Sequence, residues 1–318
     1  MKAITYYKYG APDVLQVAEV PTPSPKENEV HIRIFATSVS SGDVRLRKAD
    51  PFLVRLMMGL QRPKINVLGF AFAGKVESVG SSVSRFKAGD EVYGTSIKTF
   101  GAYAEYICLP EDSIIILKPR MLSFEEAAAI PFGGTTALHF LRKAGIQSGQ
   151  KVLIYGASGA VGTSAVQIAN YFGAEVTAVC SGRNAALVTS LGANKVIDYT
   201  REDFSKAGEL FDIVFDAVGM SPFEACVQSL KENGSYVRVV HMSLSPVFKG
   251  LRVSISSSKK IIGGTFKETV QDLEFLNKLI EAGQLRPVID RTYSLDQMQE
   301  AHRYVEEGHK IGNVAIRV

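Results

Sequence analysis

Residues 151–162 read KVLIYGASGAVG, and no other stretch restricts the fold as much. Four β-prone residues, 152–155, run into glycines at 156, 159 and 162 and then into the uncharged run TSAVQIANYFGA. That order predicts a strand, a tight turn and a helix start. Gly156 lets the chain leave the strand sharply. Gly159 leaves bare backbone for a pyrophosphate, and Gly162 lets the helix pack on the strand with its first amides toward the anion. A strict G-x-G-x-x-G would place glycine where Ser158 stands, so the literal motif is incomplete. The next strand candidate, EVTAVC at 175–180, comes one helix length later and completes a βαβ unit. The expected dinucleotide contacts are Gly156, Ala157, Ser158, Gly159, Ala160, Val161 and Gly162; the alternative is a glycine-rich turn that binds no phosphate.

The end of the second strand discriminates between nicotinamide cofactors. An NAD site places an acid about twenty residues past the first glycine to hold the ribose hydroxyls, whereas an NADP site offers hydroxyls and a cation to the 2′-phosphate. Here that position reads CSGRN, 180–184, with no acid but with Ser181 and Arg183. Tyr199, ending the strand candidate KVIDY, adds a phenol. NADPH is the expected cofactor. Arg183 also has a plainer reading, as a solvated residue at a helix start.

A chain of 318 residues has room for about two domains. A net charge of +4 spread along it does not indicate a nucleic-acid partner. Cys108, Cys180 and Cys226 form no CxxC pair, which suggests neither a disulfide framework nor a cysteine zinc site, and fits a cytoplasmic setting. The N-terminal MKAITYYKYGAPD lacks the apolar core of a signal peptide. Residues 152–174 carry no charge, yet their glycines, serines, glutamine and asparagine suit a buried βα unit better than a membrane span.

Before residue 123 the chain is a series of short β-like runs punctuated by Pro and Gly (KAITYY, VLQVAEV, EVHIRIFATSVS, GKVESVG, DEVYG), which predicts a partly closed antiparallel barrel. Residues 50–64 differ, crowding Phe52, Leu53, Val54, Leu56, Met57, Met58 and Leu60 between basic residues. Simple packing, a lid over an apolar pocket and contact with a membrane surface all suit such a segment, the last being least favoured. From Ser123 the rhythm alternates. SFEEAAAI opens with a capping box and runs into PFGGTTALHFLRKAG, read as a second helix. Six strand candidates follow: KVLIYG, EVTAVC, KVIDY, FDIVFDAVG, GSYVRVV and SSKKIIGGTF. They predict an α/β architecture with a doubly wound parallel sheet. An amphipathic helix at about 268–282 precedes a strand, a helix and a closing strand that returns to the first domain.

Taken in order, MKAITYYKYGAPDVLQ, GKVESVG, FKAGDEVYG, GAYAEY, AAAIPFGGTTALHFL, the glycine turn, SLGANKVIDY and GHKIGNVAIRV resemble the zinc-free quinone oxidoreductase branch of the medium-chain dehydrogenase/reductase superfamily, end to end. The resemblance implies a GroES-like catalytic domain at 1–122, a Rossmann NADP-binding domain at 123–267, a C-terminal segment at 268–318 returning to the catalytic domain, and a homodimer. It implies a substrate pocket at Ser40, Asp43, Phe52 and Phe70, with Thr136 beside the nicotinamide and Val218, Gly219 and Asn313 among the cofactor contacts. Ser40 stands where zinc alcohol dehydrogenases of this superfamily carry a catalytic cysteine, and Phe70 and Ala71 stand where they carry His and Glu. Neither phenylalanine nor serine replaces a soft or imidazole ligand, so no metal is expected. Without a metal, hydride transfer from NADPH to a quinone or an α,β-unsaturated carbonyl is the expected chemistry. An NADP-linked alcohol or carbonyl dehydrogenase and an NADPH-binding redox reader with little turnover are the alternatives. Asp43 either anchors a polar substrate group or holds its turn, and His139 reads as a packed histidine rather than an acid.

Overall fold

The structure is a computed structural model that describes residues 1–206, 208–239, 257–265 and 267–318. The chain divides into two compact units, one of Met1–Phe132, Glu268–Glu281 and Pro287–Val318, the other of Gly133–Lys267 and Ala282–Arg286.

In chain order the first unit opens with strands β1 (Lys2–Thr5), β2 (Gln16–Glu19) and β3 (Glu29–Val39), helices α1 (Ser41–Lys48) and α2 (Val54–Met58), and strands β4 (Ala71–Val79), β5 (Glu91–Thr95), β6 (Tyr106–Pro110) and β7 (Ile114–Leu117). Helix α3 (Phe124–Lys143) leads into the second unit. There lie β8 (Lys151–Tyr155), α4 (Ala160–Tyr171), β9 (Glu175–Cys180), α5 (Ala185–Ser190), β10 (Lys195–Asp198), β11 (Phe211–Asp216), α6 (Phe223–Gln228), β12 (Leu230–Arg238) and β13 (Lys260–Ile262). The chain then returns to the first unit through α7 (Val270–Glu281), β14 (Ile289–Ser294), α8 (Met298–Glu306) and β15 (Asn313–Arg317).

The second unit holds one parallel sheet in the order β10-β9-β8-β11-β12-β13. All six strand candidates from 151 onward are in it; Val240 and Phe266, at the ends of two of them, lie outside the described residues. Interior strands of a parallel sheet are covered on both faces, which is why EVTAVC and FDIVFD read as apolar runs without alternation. Apart from Glu175 and Asp212 every residue of these two strands is buried. The uncharged stretch 152–174 resolves into β8 and α4, and among the described residues no helix is long and apolar enough to cross a membrane.

In the first unit the 11-residue β3 is the spine, pairing antiparallel with β4, β6 and β15. Its register with β4 shifts twice, at His31/Ile32 and Ile34/Ala36, and such bulges bend a sheet. Gly74 leaves room at that bend, since a Cβ there would meet the Arg33 carbonyl oxygen of β3 at 2.1 Å. The closing strand β15 docks on β3. One partner was not legible: β14 runs parallel to β15 at the sheet edge, with α8 as the crossover between them.

Helix α3 corrects the expectation of two helices. The Ser123–Glu126 capping box forms in both directions, at 2.9 and 3.1 Å, and the helix continues through Pro131 for 20 residues. Proline removes one backbone donor from the ladder, but the burial of residues on both sides of it, from Ala127 to Ile130 and again at Ala137, Leu138, Phe140 and Leu141, keeps the helix whole.

Candidate functional site

Each fingerprint glycine occupies a position that a side chain would spoil. Gly156 has φ +78°, and a Cβ there would meet Val218 Cγ2 at 2.2 Å. At Gly162 a Cβ would lie 2.1 Å from the Gly156 carbonyl oxygen, so α4 and the turn touch backbone to backbone. Gly159, the N-cap of α4, is different: the nearest atom to an added Cβ is 3.6 Å away, and this open face lies beside the first amides of the helix. That is the cradle a pyrophosphate requires. From α3, Gly133 comes so close to the start of α4 that a Cβ would sit 2.4 Å from the Ala160 oxygen, and Thr136 lies buried one turn on.

The turn after β11 is shaped by Asp216, a residue the sequence reading passed over. Its Oδ1 accepts from the amides of Val218 and Gly219 at 3.0 and 2.7 Å, and its Oδ2 accepts from Ser221 and Tyr236 hydroxyls. Val218 is thereby held beside the glycine turn.

A pocket of about 440 Å³ opens at the ends of β9 and β10, lined by Ser181, Gly182, Arg183, Asp198, Thr200 and Arg201. Ser181 and Arg183 were expected there. Tyr199 is half exposed and is not part of the lining. Arg201 and Thr200 were missed, although sheet topology could have found them: in the parallel register Asp198 stands opposite Cys180, so the residues after each strand meet. Asp198 brings one carboxylate to this site, with Arg201 3.7 Å from its Oδ2. Its Oδ1 accepts from the Thr200 hydroxyl and amide at 2.8 and 3.0 Å, and these bonds hold the carboxyl below the usual range. Two arginines and the hydroxyls of Ser181 and Thr200 outweigh that carboxylate and suit a phosphate monoester.

The residues assigned to the substrate lie in the first unit. Ser40 is the N-cap of α1 and Asp43 its third residue. Ser40 Oγ donates to Asp43 Oδ2 at 2.6 Å and accepts from the amides of Gly42 and Asp43, while the Ser40 amide donates to Oδ2 at 2.9 Å. This capping box gives Asp43 a structural task. It uses only one carboxylate oxygen: Oδ1 is buried and makes no hydrogen bond of ordinary geometry, although the Tyr103 hydroxyl faces it. Gly42, beside the pair, has the rings of Phe132 and Phe70 at 3.7 and 3.8 Å from a Cβ position, and those rings are 5.7 Å apart. Phe70 follows Gly69, whose φ of +82° clears space for the Tyr103 ring. Ser40, Phe70 and Phe132 thus surround one point. Phe52 belongs to another group: with Leu53, Leu56, Met57 and Leu60 it is largely exposed, Met57 by 82%, and of this segment only Val54 and Met58 pack inward. Asn313, at the start of β15, places its side chain on the Val288 carbonyl at 3.1 Å.

The donor set is wrong for catalytic zinc. Ser40 Oγ is committed to its helix cap, and Phe70 and Ala71 present hydrocarbon. The geometry therefore defines a two-unit protein with a Rossmann sheet, a phosphate cradle and a metal-free GroES-like unit.

Known proteins agree. The alcohol dehydrogenase GroES-like domain family matches residues 26–119, and the zinc-binding dehydrogenase family matches 191–316. The 2-methylene-furan-3-one reductase of Solanum lycopersicum is 37% identical, over 99% of this chain and 79% of its own. The quinone oxidoreductase of Coxiella burnetii superposes with a TM-score of 0.91 at 33% identity, covering 100% of this chain and 99% of its own. The Escherichia coli quinone oxidoreductase complexed with NADPH gives 0.85 at 27% identity, with 100% of both chains covered. The chain belongs to the zinc-free quinone oxidoreductase branch of the medium-chain dehydrogenase/reductase superfamily.

Proposed function

We propose that the protein is an NADPH-dependent, zinc-independent reductase of quinones and α,β-unsaturated carbonyls. The observation that carries the cofactor choice is the pocket beside β9, where Arg183 and Arg201 stand with Ser181 and Thr200 and the acid Asp198 is already occupied. The glycine turn would hold the pyrophosphate at the first amides of α4, with Val218 and Gly219 alongside and Thr136 toward the nicotinamide. NADPH supplies the hydride; the residues of the chain bind, orient and exclude water. Ser40, Phe70 and Phe132 would offer the acceptor an apolar recess with one hydroxyl, and the exposed residues 52–60 would cover an apolar acceptor. The named relatives support both acceptor classes, since one is a furanone reductase and the others are quinone oxidoreductases.

The test is loss of nicotinamide absorbance with NADPH and NADH separately, against quinones, enones and aldehydes, with and without chelator. The expected result is consumption of NADPH by a quinone or enone, unaffected by chelator. Binding of NADPH without turnover on any acceptor would leave a cofactor-binding protein instead. A cytoplasmic setting and a homodimer belong to the same proposal, supported by three free cysteines and by family membership. Sedimentation tests the dimer.

A further inference from the structure

Reducing an enone needs a hydride at the β-carbon and a proton at the α-carbon. Quinone oxygens take protons readily from water, but a carbon acid forms slowly unless a donor is placed beside it. We propose that the Ser40 hydroxyl, backed by Asp43, protonates the α-carbon of an enone, and that the buried polar groups around Asp43 return a proton to its carboxyl; this rests on the function proposed above.

Three observations carry the assignment. First, Ser40 Oγ and Asp43 Oδ2 are 2.6 Å apart, and Oγ lies 3.2 Å from the Gly42 Cβ position that the Phe132 and Phe70 rings flank at 3.7 and 3.8 Å. The Gly42 and Asp43 amides, at 3.1 and 3.2 Å, point at the same Oγ and stabilise negative charge there as a proton leaves. Second, Asp43 is 1% exposed, and among the described residues no cation pairs with it; Arg47, one turn later on the same helix, spends its bond on Glu306 of α8. Third, seven of the nine buried side-chain polar atoms that lack a hydrogen bond among the described residues belong to Asp43 and the groups around it. They are Asp43 Oδ1, the Tyr6 and Tyr103 hydroxyls, Arg47 Nε and Nη1, and both ring nitrogens of His302. Buried polar atoms are nearly always satisfied, so this cluster leaves Asp43 among donors and acceptors that are still available to it.

The ionisation of the cluster fits a donor. Burial raises the Asp43 carboxyl to about 6, against the pull of its hydrogen bonds with Ser40 and of the facing Tyr103 hydroxyl. Burial raises the phenols of Tyr6 and Tyr103 as well, and lowers His302 to about 3, so the imidazole facing Tyr103 is neutral. Arg47 and Glu306 are the remaining charged groups, and they neutralise each other.

The step balances. NADPH, when bound, would supply the hydride for the Cβ–H bond, and the alkene pair would move toward the carbonyl as an enolate. The Ser40 O–H bond breaks as Cα–H forms. Asp43 passes its proton from Oδ2 to Oγ, and the carboxylate regains one from solvent by way of the polar groups around it. The sum is enone, NADPH and H⁺ giving saturated carbonyl and NADP⁺.

The test uses the intact protein. The kcat/KM for an enone should fall about tenfold per pH unit above about pH 6, as expected of a free-enzyme acid. Ser40→Ala should lower kcat on the enone about 100-fold, and Ser40→Thr, which keeps the hydroxyl, should restore most of it. Independently of turnover, ¹³C NMR of aspartate-labelled protein without cofactor should show one carboxyl titrating near 6 that vanishes in Asp43→Asn. Enone turnover with a flat pH profile, Ser40→Ala with wild-type kcat, or the lack of that carboxyl signal each overturns the relay while the proposed function stands. Wild-type protein that oxidises NADPH with neither quinones nor enones overturns that function, and the relay with it.

Discussion

Gly162 lies so close to Gly156 that a Cβ at 162 would stand 2.1 Å from the Gly156 carbonyl oxygen, with two Ala157 backbone atoms at 2.8 Å. Nothing flexible is available to give way. Gly162→Ala should therefore push α4 off the turn, cost about 1–3 kcal/mol as an overpacked contact, and weaken NADPH binding with it. Thermal unfolding and NADPH fluorescence titration check both effects. Retention of wild-type affinity would mean that the turn can open without losing the phosphate.

The basic pocket predicts a discrimination rather than a general loss. Arg183 and Arg201 line the region beyond β9, where the adenosine ribose of a cofactor on the glycine turn would reach. Arg201→Ala and Arg183→Ala should each weaken NADPH by about 10-fold to 100-fold, the range for one charge-assisted hydrogen bond, and leave NADH nearly unchanged. The ratio of the two dissociation constants is the measurement. Equal weakening of both cofactors would place the arginines on the pyrophosphate instead.

These two regions also show what was legible. The glycine turn was readable because the constraint is local: within seven residues Gly156 and Gly162 must lack a side chain for reasons of backbone geometry, and Gly159 leaves the phosphate face bare. The strands were readable because a parallel sheet demands apolar runs separated by helices. Arg201 was not, because it reaches the pocket through strand pairing, with Asp198 beside Cys180, and no spacing along the chain encodes that neighbour. The cluster of Asp43, Tyr103, Arg47 and His302 was hidden for the same reason. Its members come from three separate segments, α1, the GAYAEY stretch and α8, and no spacing along the chain joins them. Residues 52–60 were legible as apolar but not as exposed, since composition alone does not say which way five large side chains face.

Glu306 compensates the fully buried guanidinium of Arg47 and also accepts from Lys48 at 2.6 Å. Removing it leaves a charge inside the first unit with no counter-ion. Glu306→Ala should therefore destabilise the protein by about 3–5 kcal/mol, whereas Lys48→Ala, at a partly exposed position, should cost less than about 1 kcal/mol. Denaturant melts of the two variants provide the comparison. Similar costs for both would indicate that the buried arginine finds another partner.

Asp43 makes stability depend on pH in an unusual direction. Its carboxyl titrates near 6 in the folded protein because burial disfavours the anion, against about 4 in an unfolded chain. The protonated form is therefore the better folded one. Its contribution is fully present below pH 4 and disappears as pH rises through 6, a loss of about 3 kcal/mol for a shift of about two units. Asparagine cannot ionise and keeps one oxygen for the Ser40 amide. The stability of wild type minus that of Asp43→Asn should accordingly decline between pH 4 and 7 and level off above it. Melts in urea across that range measure the difference directly. A difference that rises with pH would mean that the ionised carboxylate is the stabilised form, held by the α1 amides more strongly than burial opposes it.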